Sequence, residues 1–409
     1  MVTVRRPRTV WPITLGHGTN EFFSIAIPPI IPLLVTDLGI TYAEAGFLLT
    51  VFFIMYSIFQ LPAGIAADWL GKRRLMIAGL LGMSVAILLA AAAGGYGMLL
   101  VAQAIAGIGG STFHPTGMSI ISDVETGDTE GRAMGVFGLG GALGTLASPL
   151  VIGGLAAVAG WRAALAVAAA LGLVVTGGML VALRGSRGDG ATAVRSDGGR
   201  KTVAARLSTL RERIHVPITR GIVILFCITL VLSLQHRAIH TFTTSYVVAE
   251  TGTSVSFGNV VFFILLAGAS VSSIWAGDLA DRIPRTVLGG VTALGTAILV
   301  GLTLVLAHLL DGLGSTLLVA TFSIWFFGIG LMMYAAYPVK NALISQQSEA
   351  AYSGSLFGVI QTASALGSAT GPALFGVLST QWGVVAAFPA IAIVGLVLAG
   401  LFGALHFAG

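Results

Sequence analysis

The chain has 409 residues, 56% of them hydrophobic and only 9% charged, with a formal net charge of +5. A soluble domain carries about a quarter charged residues, so this composition excludes a water-solvated globule and makes lipid the solvent for most of the chain. The basic balance is not a nucleic-acid signature, because Lys and Arg are spaced between long apolar runs instead of forming one patch.

Apolar runs long enough to cross a bilayer, about 20 residues each, occur near 12–35, 43–66, 75–94, 97–122, 132–158, 161–183, 218–248, 255–277, 286–309, 315–345, 354–379 and 384–405. The fold class is therefore an all-α membrane protein of twelve transmembrane helices. The first run follows Arg5, Arg6 and Arg8, as a signal peptide would. Because it contains Glu21, Pro28, Pro29 and Pro32 and no clear cleavage site follows, it reads as a retained helix. Within it His17, Asn20, Glu21 and Ser24 recur at helical spacing, which places them on one broad polar face.

Between the second and third spans lies Gly64–Arg74, GIAADWLGKRR, and 213 residues later comes GDLADRIPRT, from Gly277 to Thr286. Gly64 maps onto Gly277, Asp68 onto Asp281 and Lys72 onto Arg285; Gly39 maps onto Gly252 at the same shift. Past Asp311 the shift becomes 223, and Gly131, Gly135, Gly144 and Pro149 fall on Gly354, Gly358, Gly367 and Pro372. The chain is thus two parallel, pseudo-symmetric six-helix halves, an arrangement some transporters use to enclose a substrate path. The halves are 1–183 and 217–409, joined by 184–216. Of that connection, 184–201 reads as flexible linker. Val203, Leu207, Leu210 and Ile214 form one apolar stripe of a short amphipathic helix expected on the membrane surface, a solvated linker helix being the competing reading.

The basic residues fall to one side: Lys72, Arg73, Arg74, Arg132, the stretch 184–220, Arg282, Arg285 and Lys340. Arg162 stands out on the other. The positive-inside bias puts both termini and the connection in the cytoplasm and the protein in the cell membrane. Lys340 is expected to snorkel to cytoplasmic headgroups. Cys227 stands alone, which excludes a disulfide framework.

Charge at the centre of a spanning helix costs at least about 2.5–3.5 kcal/mol and is functional by default. Glu21 is the one carboxylate well inside a span, and Arg237 the one deep cation. Glu21 is the expected proton-coupling group, with His17 and His114 as helpers, since a nearby imidazole can relay a proton. A structural hydrogen-bond knot between the first and fourth spans is the competing reading. Expected substrate contacts are Asn20, Glu21, Arg237, His240, Tyr334 and Gln361, with Tyr56, Gln60 and Trp325 as further candidates; each could equally serve helix packing.

The Gly64–Arg74 segment resembles the loop 2–3 signature of the major facilitator superfamily, repeated in loop 8–9. The resemblance implies a conformational latch of Gly64, Asp68, Gly71, Lys72 and Arg73 with Asp281, Arg282 and Arg285. In it Asp68 pairs with cations and faces a helix N-terminus of the opposite half, where the dipole favours an anion. Trp69 and Pro284 depart from the pattern. In span 5, Gly135, Gly144, Ser148, Pro149 and Gly153 resemble the antiporter-associated motif, though small residues also serve plain helix packing. Gln103 stands where many proton-coupled drug exporters of the superfamily have Arg, so a relay on that Arg is excluded. GHGTNEFFSIAIPPIIPLL and STFHPTGMSIIS look like the fosmidomycin-resistance branch, which is associated with export of small drugs including an anionic phosphonate.

The expected function is secondary transport by alternating access: proton-coupled export of small organic molecules, or alternatively uptake or exchange of an organic anion. The fold's usual state is a monomer. A membrane sensor is disfavoured by the short loops, and an enzyme by the lack of a nucleophile–base pair, metal-ligand spacing or nucleotide loop. No cofactor, metal or nucleic-acid partner is expected; the partners are a small-molecule substrate, protons and the bilayer.

Overall fold

The computed structural model describes residues 4–184, 219–310, 315–347 and 353–408, and every regular element among them is helical. The first span, α1, runs as Pro7–Ser24, a 3-10 turn at Pro28–Ile30 and Ile31–Leu38, with a bend of 40°. Pro28, Pro29 and Pro32 cannot donate the backbone hydrogen bonds of a continuous helix, so the break falls where they stand. Then come α2 (Tyr42–Leu70), α3 (Lys72–Ala91) and α4 (Tyr96–Val124). A 55-residue rod, Asp128–Ala182, breaks at Gly160 into α5 (128–159) and α6 (161–182).

The second half contains α7 (Arg220–Thr251), α8 (Val255–Arg282) and α9 (Arg285–Gly301 bent into Thr303–Leu309). It closes with α10 (Ser315–Gln346), α11 (Ser353–Trp382) and α12 (Val384–Ala408). Among the described residues eight helices are long and apolar enough to cross a membrane unaided, and up to ten if each bent pair is one span. Dividing the long rod at Gly160 and adding α11 gives the twelve crossings expected. The apolar stripe at 202–214 lies outside the described residues.

The internal repeat reappears in the backbone. Gly39 and Gly252, 213 residues apart, both have φ +63° and close α1 and α7 as left-handed caps. Gly160 and Gly383, 223 apart, have φ +83° and +82° and turn the chain into α6 and α12. Thr41 caps α2 with a reciprocal Glu44 contact, and its counterpart Ser254 caps α8 through the Phe257 amide.

Each half stacks two apolar clusters with polar groups between them. In the first half, Ile30, Phe52, Leu99 and Leu165 lie toward the end away from the termini, and Ile13, Met76, Ile120 and Phe137 toward the end that carries them. In the second half Phe262, Phe326 and Phe388 answer Ile228, Val339 and Phe402. At the intermediate level lie His17, Asn20 and Gln103 in one half and Ser233, His236 and His240 in the other, all buried.

The halves meet closely at the end away from the termini. Thr50 donates to the Ala369 carbonyl at 2.7 Å, Thr380 accepts from the Ala43 amide at 2.8 Å, and Asn259 donates to the Pro29 carbonyl at 3.0 Å. Gly46 lies against Pro372, and Gly153 against Asn259. Toward the termini-bearing end, α2 and α11 leave a cleft of about 810 Å³ lined by Gly64, Asp68, Gly358 and Thr362.

Candidate functional site

A cavity of about 510 Å³ lies on the central path between the halves. Its wall takes His17, Glu21 and Ser24 from α1, Phe53, Tyr56 and Gln60 from α2, His114 from α4, Arg237 from α7, and Gln361 and Ser364 from α11. Glu21 stands 14 residues into α1, about 21 Å along the helix at 1.5 Å per residue, and is the one carboxylate in this wall.

Three side chains converge there. His114 Nε2 lies 3.2 Å from Glu21 Oε1, and His17 Nε2 lies 3.7 Å from the same oxygen. The His17 ring stacks on Phe137 with centroids 3.9 Å apart and planes 4° from parallel. A Cβ at Gly141 would come within 2.5 Å of that ring, so glycine there makes room for it. His17 Nδ1 contacts the Phe137 carbonyl oxygen at 2.8 Å. A carbonyl only accepts, so Nδ1 carries the proton and a neutral His17 turns a bare Nε2 lone pair toward Glu21. That nitrogen is buried without a hydrogen-bond partner. Ser24 donates to the Glu21 backbone carbonyl at 2.8 Å and to its carboxylate at 3.4 Å.

Arg237 enters the cavity from the other half. Its guanidinium lies 4.2 Å over the Phe53 ring, a cation–π contact, and it forms no ion pair among the described residues. The cavity thus holds an imidazole-clasped carboxylate in one half and a cation without a carboxylate in the other.

The remaining expected site residues divide. Gln361, Tyr56 and Gln60 line the cavity. Asn20 does not: it is fully buried, donating to the Gly110 carbonyl at 3.1 Å, and ties α1 to α4. His240 and Tyr334 belong to a separate buried network. His236 Nε2 and His240 Nε2 are 3.1 Å apart, Tyr334 Oη is 3.2 Å from His240 Nε2, and His236 Nδ1 meets Tyr337 Oη at 2.5 Å. Tyr334 borders a side pocket of about 200 Å³ that shares Ala142 and Thr145 with the main cavity. Trp325 donates to the Leu299 carbonyl at 2.9 Å and serves packing.

Lys340 corrects an expectation. It does not reach headgroups but is buried, its ammonium 5.1 Å over the Tyr337 ring. The face of the Tyr337 ring gives the cation an electrostatic partner inside the protein. The position of Lys340 near the end of a span concealed this; the Tyr-x-x-Tyr-x-x-Lys spacing on one helical face was the available signal.

The ion pairs that Lys72, Arg282 and Arg285 form with Asp123, Asp278 and Asp281 fall within a half. Gly71 has φ +87° and turns α2 into α3. Lys72 pairs with Asp123 at the end of α4 at 2.5 Å, and buried Arg73 donates to the Leu183 carbonyl after α6 at 3.5 Å. In the second copy Arg285 lies 3.5 Å from Asp281 and donates to the Ala342 carbonyl of α10, and Arg282 pairs with Asp278 at 2.8 Å. Asp68 and Gly64 line the α2–α11 cleft.

Comparisons with known proteins agree with this architecture. Curated transporters and resistance proteins are among the relatives that match. The chain is 25% identical over 288 residues to the fosmidomycin resistance protein of Escherichia coli, covering 70% of this chain and 68% of that one. It is 26% identical over 392 residues to the multidrug resistance protein MdtG of Rahnella sp., covering 93% and 89%. It is 28% identical over 148 residues to the probable L-galactonate transporter of E. coli, where 36% of this chain spans only a third (33%) of that protein's length. Among solved structures, a bacterial homologue of the human lysosomal transporter Spinster, inward-facing and occupied, superimposes with a TM-score of 0.79 at 15% identity over 99% and 97% of the two chains. The family model for the Major Facilitator Superfamily matches residues 13–336 and again 225–408. With twelve helices in two repeated halves around a central polar cavity, the chain belongs to the Major Facilitator Superfamily.

Proposed function

We propose that this transporter is a proton-coupled exporter of small organic molecules and that Glu21 is the group that exchanges proton for substrate. The observation that carries the reading is the clasp of one cavity carboxylate between two imidazoles. The Glu21–His114 contact needs one shared proton, donated either by the imidazole N–H or by the carboxylic acid. Proton arrival at the cluster and substrate arrival at the cavity then compete. Each form favours a different arrangement of the halves to the extent that it binds them differently. Arg237, without a carboxylate partner, supplies counter-charge to an anionic substrate.

Export is supported by the resistance functions named for two relatives. The basic residues at the termini-bearing end support a cytoplasmic position for it, in which case the cleft would face the compartment from which an exporter loads. In proteoliposomes with an imposed proton gradient, Glu21→Gln should lose uphill transport while retaining substrate counterflow. Undiminished uphill transport in that variant would sink the assignment.

Uptake or exchange of an organic anion is the second reading, favoured by the unpaired cation alone. In that case Arg237→Gln should abolish counterflow as well as uphill transport, and Glu21→Gln should leave both intact.

A further inference from the structure

We propose that His17, Glu21 and His114 form a binding site for one divalent transition-metal cation of the zinc type, open to the central cavity. The sequence showed no metal-ligand spacing because His114 reaches the cluster from α4, 93 residues from Glu21. In space, one ligand atom from each of the three lies within 4.8 Å of the others.

Four observations converge on a metal. First, the donor set of two imidazoles and one carboxylate is that of open zinc sites, which leave a fourth position for water or a ligand. Two nitrogen donors select against Mg²⁺ and Ca²⁺, which take oxygen ligands. Second, two of the three ligand separations, 3.2 and 3.7 Å between Glu21 Oε1 and the two Nε2 atoms, lie near the edge of a coordination tetrahedron with metal–ligand bonds of about 2.0–2.2 Å, and the third is within 4.8 Å. Third, His17 is already set as a ligand. Its Nδ1–H is held by the Phe137 carbonyl, the usual outer partner of a metal-bound histidine. Its ring is clamped between Phe137 and Gly141, and its orphaned Nε2 is aimed at the cluster. Fourth, access and exit exist, since the His114 side chain is 32% exposed and Glu21 24%, both facing the cavity.

The same lone pairs serve proton and metal, so the two exclude each other. Bound metal should therefore displace the proton shared by Glu21 and His114. Arg237 from α7 and Tyr56 from α2 also face the cluster. The Arg237 charge opposes a dication, and a metal-bound anion in the fourth position would lie toward it.

The test uses purified full-length protein with any affinity tag removed, stripped by chelator, held in lipid nanodiscs without a gradient and titrated with Zn²⁺ by calorimetry. Co²⁺ serves as the spectroscopic probe. One equivalent should bind, with visible Co²⁺ bands of four- or five-coordinate nitrogen–oxygen ligation. His114→Gln and Glu21→Gln should each weaken binding at least ~10-fold. His236→Ala, which removes a buried histidine elsewhere, should leave it unchanged. His17→Ala could disturb the packing on Phe137, so the conclusion rests on the cavity-facing His114. Absence of one-equivalent binding, or an equal loss in His236→Ala, overturns the site. Because no transport is measured, the metal site and the proton-coupling role of Glu21 stand or fall separately.

Discussion

At the residue scale, the side chains that matter are those whose partners come from other helices. Glu21, His17 and Arg237 stand out in the sequence because each is an expensive group inside a span. Their outcomes differ because only packing sets what each faces: His17 is pinned by Phe137, while Asn20, on the same helix, turns to the Gly110 carbonyl. Glu125 is not marked by any motif in its loop. It is buried, and its carboxylate accepts from the backbone amides of Arg6 at 2.7 Å and Arg5 at 3.0 Å, anchoring the start of the chain to the turn after α4. Burial pushes its pKa up, but hydrogen bonds from Thr129, Arg6 and Arg5 and the Arg5 charge outweigh that and hold it below the usual carboxylate value. A folded-state pKa below the unfolded one contributes stability that is complete above the unfolded value, about 4.3 for Glu, and is lost as pH falls through the folded one. Glu125→Gln should lower the unfolding temperature at pH 7 and show a shallower loss on acidification than the parent. Parallel acid limbs in thermal melts of the two proteins would contradict this.

At the element scale, the twin glycines of α5 and α11 separate packing from mere presence. A Cβ at Gly144 would collide with the Gly18 backbone of α1, and one at Gly367 with the Leu230 carbonyl of α7. Gly135 and Gly358, a second pair matched by the repeat, face open space. The two halves therefore use the same glycine at the same helix crossing, and in α5 the antiporter-like pattern serves α1–α5 contact within a half. Within α5 it is Gly153, against Asn259, that meets the other half. Gly144→Ala should destabilise by about 1–3 kcal/mol through overpacking, whereas Gly135→Ala should be neutral or gain up to about 1 kcal/mol of helix propensity. Unfolding midpoints of both variants in the same detergent check the contrast. The repeat was legible as a glycine pattern, but which glycine meets a neighbouring backbone depends on the crossing point of two helices.

At the scale of the whole molecule, the halves are pinned at one end and part at the other. The Thr50–Ala369, Ala43–Thr380 and Asn259–Pro29 contacts must break if the cavity is to open toward the far end. Cysteines at Ala43 and Thr380, oxidised to a disulfide in a Cys227→Ser background, should stop transport, and reductant should restore it; turnover in the cross-linked protein would show that this end does not open. Membrane residence, the twelve crossings and the repeated halves could be read from the sequence alone, because they follow from run length, apolar composition and periodic glycines, which are local properties of the chain. The partners of Glu21, the inward burial of Lys340 and the division of polar residues between the cavity and the His236–His240 network were decided only by tertiary structure. The physical reason is that a helix turns every side chain to one of several neighbours, and within lipid a polar group must find its partner on whichever helix packs against it.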